Sequence, residues 1–198
     1  MRSALEDASE APLIHRRLSP RMDRGMSKEK GFSLIELLIV VAIILIIAAI
    51  AIPSLLRARM AANESSAVAS IRSINSAEVT YNSTYPTVGF AGSLSDLGGA
   101  LGAACVPAST SACLVDAVVS NNGNPAGSGK SGYTFSTGTG TVSAGVNVGF
   151  TVLAVPITVN QTGIRAFCAE KDSVLRVDPL GACSNTEAGV LTFNPLNQ

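Results

Sequence analysis

KGFSLIELLIVVAIILIIAAIAIP, Lys30 to Pro53, decides how the rest of the chain is read. Leu37 to Ile52 is a run of sixteen apolar residues. With its flanks it is long enough to cross a bilayer, because about 20 apolar residues at about 1.5 Å rise span a hydrocarbon core of about 30 Å. One carboxylate, Glu36, stands just inside the leading edge. A charge at membrane depth costs roughly 3 kcal/mol or more, so it persists where a partner neutralises it or a function needs it. The neighbouring sequence offers Glu36 no obvious partner.

Beyond this segment, a chain of 198 residues has room for one ordinary domain. Formal charge is zero but unevenly placed: Met1 to Gly31 holds seven Lys/Arg against five Asp/Glu, and Phe32 to Gln198 holds seven against nine. No basic stripe marks a nucleic-acid surface. Arg16, Arg17, Arg21, Arg24, Lys28 and Lys30 precede the apolar run, while only Arg57, Arg59 and Arg72 follow it within a similar length, so the N-terminus is expected to stay cytoplasmic. Cys105, Cys113, Cys168 and Cys183 then lie on the far side, in an oxidising compartment where an even count favours disulfides. Three pairings are open; the local ones, Cys105 with Cys113 and Cys168 with Cys183, are the expectation.

A secretory signal peptide has an apolar core of about 7 to 15 residues and a small-x-small cleavage site. Here the run is longer and continues through Pro-Ser-Leu-Leu-Arg into more helical sequence. A plain anchor fits the length but leaves Glu36 unexplained. The stretch resembles the N-terminal signature of type IV pilins and pseudopilins: a basic leader ending in glycine, an aromatic first mature residue, a glutamate four positions later, and an apolar helix with a downstream proline. The resemblance implies cleavage between Gly31 and Phe32 by an inner-membrane prepilin peptidase, then N-methylation of Phe32. It also implies that Glu36 pairs with the new amine of a neighbouring subunit, setting register: two opposite charges in an apolar bundle are each costly alone and tolerable together. Translation from Met26 would give the leader MSKEKG, a length typical of that family. Residues 1–25 are therefore expected to be a mis-assigned start or a dispensable extension of a cytoplasmic leader spanning 1–31.

From Arg57 to Tyr85 the sequence stays helix-friendly until Pro86. Ala67, Ile71, Ile74, Tyr81 and Tyr85 form a stripe on one face, interrupted by Glu78. A helix from Phe32 to Tyr85 would run about 80 Å at about 1.5 Å per residue, more than a domain of this size can cover. Its first half, 32–56, must find cover in lipid or in other subunits; its amphipathic half, 57–85, faces the domain. Pro53 removes the donor for the Ala49 carbonyl, so a bend or local melting is expected there.

Residues 86–132 read as a connector rich in Gly, Ser, Thr and Asn, and residues 133–198 as the sheet region. Strand-like runs are Tyr133–Ser136, Val146–Val159 broken by Pro156, Ile164–Ala169 and Val174–Val177, the last two flanking a hairpin loop at Glu170–Ser173. One long helix and a small antiparallel sheet make an α+β fold. In pilin-like proteins the sheet packs on the second half of the helix.

AGSGKS, Ala126 to Ser131, resembles the end of a phosphate-binding loop, but the glycine required five positions before Gly129 is replaced by Asn124, and the following residues read as strand. Nucleotide binding is not expected. The one histidine, His15, precedes the cleavage site, so no histidine-dependent catalytic triad can be built from the mature chain. Glu170, Asp172, Asp178 and Glu187 cluster near the C-terminus, where secretion pseudopilins carry calcium; Asp172 and Asp178 are weak calcium candidates, yet their spacing matches no loop motif and solvated charges are the expectation. No metal or cofactor is assigned.

The resemblance thus implies a structural, non-enzymatic pilus subunit. It would be stored in the inner membrane with its N-terminus inside, then polymerised into a homo-oligomeric filament outside by the assembly platform and its ATPase. A major pseudopilin of a type II secretion system is the alternative on the same residues; a single-anchor sensor or binding protein is the alternative from another class.

Overall fold

The computed structural model describes residues 31–196. The leader, with His15, Met26 and the orienting cations through Lys30, lies outside the described residues. The chain divides into two units that part between Ile43 and Ile44, and each is taken by itself.

The first unit ends in the opening turns of helix α1, which runs Leu34–Thr84. The helix begins after Ser33 and stops one residue short of Tyr85, whose N–H still bonds the Tyr81 carbonyl at 2.8 Å. Pro53 lies inside it without interrupting it, so the local melting expected at Ala49–Pro53 is absent. The physical reason is length: proline removes one ladder bond at a cost of about 3 kcal/mol, and long runs of good helix formers on both sides hold the geometry.

In the second unit the far half of α1 is the spine of the core. Ala67, Ile71, Ile74, Ala77 and Tyr81 are buried on one face at helical spacing. A five-stranded antiparallel sheet covers them. Its strands are β1 (Tyr133–Thr139), β4 (Phe150–Pro156), β5 (Ala166–Glu170), β6 (Arg176–Asp178) and β7 (Asn194–Pro195), adjacent in that order. Between β1 and β4 a small hairpin, β2 (Val142–Ser143) and β3 (Val146–Asn147), turns on Ala144 and Gly145. Both turn residues have positive φ, the conformation a tight two-residue hairpin requires.

Strand alternation assigns the two faces. Tyr133, Phe135, Phe150, Val152, Ala154, Phe167 and Ala169 join the α1 stripe in the main core. On the opposite face Leu153 and Cys168, paired across β4 and β5, pack with Val190 of the short helix α4 (Glu187–Val190). Every residue of β5 is therefore buried, which is why Ala166–Ala169 reads as a continuous apolar run, while buried Glu170 lies 3.9 Å from Arg176. Disulfides join Cys168 to Cys183 and Cys105 to Cys113, with Cα atoms 6.1 and 5.9 Å apart. The first of these ties the covering loop to the sheet.

Residues 86–132 are more than a connector. They contain two single-turn helices, α2 (Leu94–Leu97) and α3 (Ala117–Ser120), and bury Ala91, Leu97, Val115 and Val119 in the same core as the sheet. Their Gly- and Ser-rich composition hid these isolated apolar anchors, because single residues in loops have no period to detect.

Glu64 locks the helix to the β4–β5 loop. Its Oε1 accepts the N–H groups of Ile164 and Arg165 at 3.0 and 3.2 Å, and its Oε2 accepts Arg165 Nε and Nη2 at 2.9 and 2.6 Å. Burial alone would raise this carboxyl, but the Arg165 guanidinium and the two backbone donors outweigh it and hold it below the usual range. A folded-state pKa below the unfolded value contributes stability above pH 4.5, and that contribution is lost as pH falls through the lowered value. Glu64→Gln is expected to cost about 1–2 kcal/mol at pH 7, a figure kept small because Arg165 is half exposed, and progressively less toward pH 3. Urea denaturation at the two pH values checks it; an equal cost at both would contradict the assignment.

Candidate functional site: the amino-terminal segment

Gly31, Phe32 and Ser33 are not helical, and α1 begins immediately after them. Phe32 is 83% exposed, and no atom lies within 4 Å of where a Gly31 side chain would begin.

Ser33 caps the helix. Its carbonyl accepts the Leu37 N–H at 3.2 Å, and its own N–H donates to Glu36 Oε2 at 3.1 Å. This is the backward-reaching half of a capping box, in which a carboxylate three residues into the helix satisfies the otherwise orphaned N–H of the capping residue. Glu36 therefore has a local partner in the uncleaved chain. The Ser-x-x-Glu spacing is the sequence signal for this contact, which uses a backbone donor and not a charged side chain.

Beyond Glu36 the helix is bare. Every residue from Gly31 to Arg59 except Ala48 is exposed, including Leu37, Ile43, Ile46 and Ile50. The segment is long and apolar enough to cross a membrane, and none of its most apolar stretch is buried. A core helix of a soluble protein would be covered; this one is not.

The other candidate positions fall elsewhere. Asp172 is engaged by Arg176, at 2.5 and 3.1 Å, and by the Val174 N–H at 2.8 Å. Burial opposes ionisation of that carboxyl, and the Arg176 contacts more than offset it and hold it low. Asp178 accepts the Leu180 and Ala182 N–H groups at 3.0 and 2.8 Å, closing the turn before Cys183. Both carboxylates are thus committed to internal donors, and among the described residues no cluster of potential ligands could hold a metal ion. Lys130 of the AGSGKS stretch lies 3.9 Å from Asp116, and strand β1 follows it, not a helix.

Residues 26–52 match the family described as the prokaryotic N-terminal methylation motif. Over 39 residues the chain is 64% identical to the type IV wide pilus major component of Thermus thermophilus, a match covering 20% of this chain and 30% of that protein. No solved structure matches the chain. The α+β arrangement of one long helix on a small antiparallel sheet is the one expected of the pilin fold. The amino-terminal segment of this protein is therefore a prokaryotic N-terminal methylation motif of the kind carried by type IV pilins, continued directly into a membrane-compatible helix.

Proposed function

We propose that the protein is a structural subunit of a type IV pilus. It is held in the inner membrane by α1, cut before Phe32 by prepilin peptidase, methylated on the new amine, and polymerised through its apolar helix. The observation that carries the proposal is the join between the methylation motif and a helix whose apolar side chains are bare of cover from the other described residues. Burial is worth about 25 cal/mol per Å² of apolar surface, so a bare helix of this length is strongly driven into lipid or a bundle of identical helices. Glu36 acts in that bundle as the register charge, exchanging its Ser33 contact for the amine of a neighbour. The assembly platform and its ATPase supply the work of extraction, and this chain binds no nucleotide itself. The disulfide-closed loop at Cys105–Cys113 and the bridge at Cys168–Cys183 tilt the choice toward a pilus over a secretion filament.

Mass spectrometry of the mature N-terminus tests the processing. The expected species begins at Phe32 and carries one added methyl group; an intact leader would overturn the proposal. Deleting the gene tests the filament type. Loss of surface pili with secretion intact is the expected result, and lost secretion with normal pili points to the pseudopilin.

A further inference from the structure

Glu78 has an environment poorly suited to a charge. It lies on the buried face of α1 between Ile74 and Tyr81 and is 0% exposed. Its Oε2 accepts the Ala91 N–H at 2.9 Å, while Oε1 is buried without a partner. One turn earlier on the same face, Asn75 Oδ1 is also buried and also lacks a donor. The charged neighbour is Asp96 of α2, itself accepting the Ser93 N–H at 2.9 Å. The Tyr81 phenol shares the site and donates away from it, to the Ser109 carbonyl. Arg72 lines an open cavity of 390 Å³ together with Asn75 but forms no ion pair among the described residues. Two inward acceptors and a nearby carboxylate, with no cation joined to them, describe a site that lacks one proton.

We propose that Glu78 is a proton-operated latch: its neutral carboxyl holds the segment from Pro86 to Leu97 closed over α1, and rising pH weakens that hold. A proton on Oε1 turns a buried acceptor that lacks a donor into a donor and removes the repulsion from Asp96, while Oε2 keeps the Ala91 N–H. The segment continues into bonds between Phe90, Val88 and Asn147 of β3, so the latch governs how firmly the β2–β3 hairpin is seated. Burial, with a smaller contribution from Asp96 and against the Ala91 N–H, pushes the Glu78 carboxyl up to about 7. The closed form then binds a proton that the open form has released above about pH 4.5, so closure weakens from there up to about pH 7 and levels off beyond it. The latch does not depend on the filament assignment.

Hydrogen exchange of the Ala91 amide in the full chain, held in detergent micelles and corrected for intrinsic pH dependence, tests the proposal. Protection is expected to fall about tenfold per pH unit between pH 5 and 7 and to flatten above. Glu78→Gln, neutral at every pH, is expected to give a flat profile, and Asp96→Asn to move the plateau to lower pH. A flat profile in the unsubstituted protein overturns the latch; it is the result expected if the Asn75 amide turns to donate Nδ2 to an ionised Glu78. The same slope in Glu78→Gln also overturns it. Should Glu78→Gln not fold, an unmoved plateau in Asp96→Asn is decisive against it.

Discussion

Cells carrying Glu36→Leu are expected to make no detectable filaments while retaining the subunit in the membrane. Leucine lengthens the apolar run, so insertion and retention are undiminished. Under the proposed register role, what is lost is the opposite charge for the methylated amine of Phe32. Leaving one member of a buried pair without the other costs about 3–5 kcal/mol, incurred at every subunit added. Sheared filaments should therefore fall at least about a hundredfold, since about 1.4 kcal/mol is a factor of ten in an equilibrium. Immunoblots of the sheared and membrane fractions measure both quantities together. Glu36→Gln separates the two roles of the side chain: its amide oxygen can still accept the Ser33 N–H, but it carries no charge. Normal filaments with glutamine would reduce Glu36 to a helix cap, and normal filaments with leucine would falsify the register role altogether.

Removing Cys168 and Cys183 together, as Cys168→Ala with Cys183→Ala, is expected to destabilise the outer domain by about 4 kcal/mol, more than removing the other bridge. The bridge closes a sequence separation of 15, for which the chain-entropy contribution is about 3 kcal/mol. Cys168 is fully buried, paired with Leu153 across the sheet and packed with Val190, so its sulfur also fills space. Deleting it adds about 1 kcal/mol of lost packing. The Cys105–Cys113 bridge closes a separation of only 8, between exposed Cys105 and half-buried Cys113, and its removal should cost about 2.5 kcal/mol. Urea midpoints of the two double variants should rank in that order, and the reverse ranking would mean that the covering loop holds to the sheet without its bridge.

The parts of this molecule that were legible in its sequence are those with a period or a motif. The apolar run announced the helix, the stripe from Ala67 to Tyr81 announced its buried face, and alternation marked β1 and β6 to within two or three residues. Glu78 looked like a flaw in the stripe and is instead part of it, because its carboxyl accepts the Ala91 backbone N–H, a donor that lets it be buried among the apolar side chains. Strand β7 is two residues long and ends in proline, so its pairing with β6 has no sequence signature and depends on the chain being led there through α4. Strand β3 was absorbed into the longer expected run Val146–Val159 and β2 fell between expected strands, because the turn at Ala144 and Gly145 carries no proline or asparagine. In the amino-terminal segment, Gly31, Phe32 and Glu36 stood out through the resemblance to prepilin signatures, which residues 26–52 also match. The hydrogen bond from Ser33 to Glu36 is carried by a backbone N–H, so charge alone gave no sign of it.

The helix meets its sheet at one early point with mechanical meaning. Counting from the amino end of α1, the first side chains to bond the sheet side are Asn63, to the Thr162 carbonyl at 2.8 Å, and Glu64, to Ile164 and Arg165. In a filament under tension, load carried along the helices would enter each outer domain there. Four hydrogen bonds converge on one carboxylate within two residues of the β4–β5 loop, so they share the load in parallel and must fail together. The same cluster that contributes modestly to equilibrium stability is thereby placed to set the force at which the domain gives way.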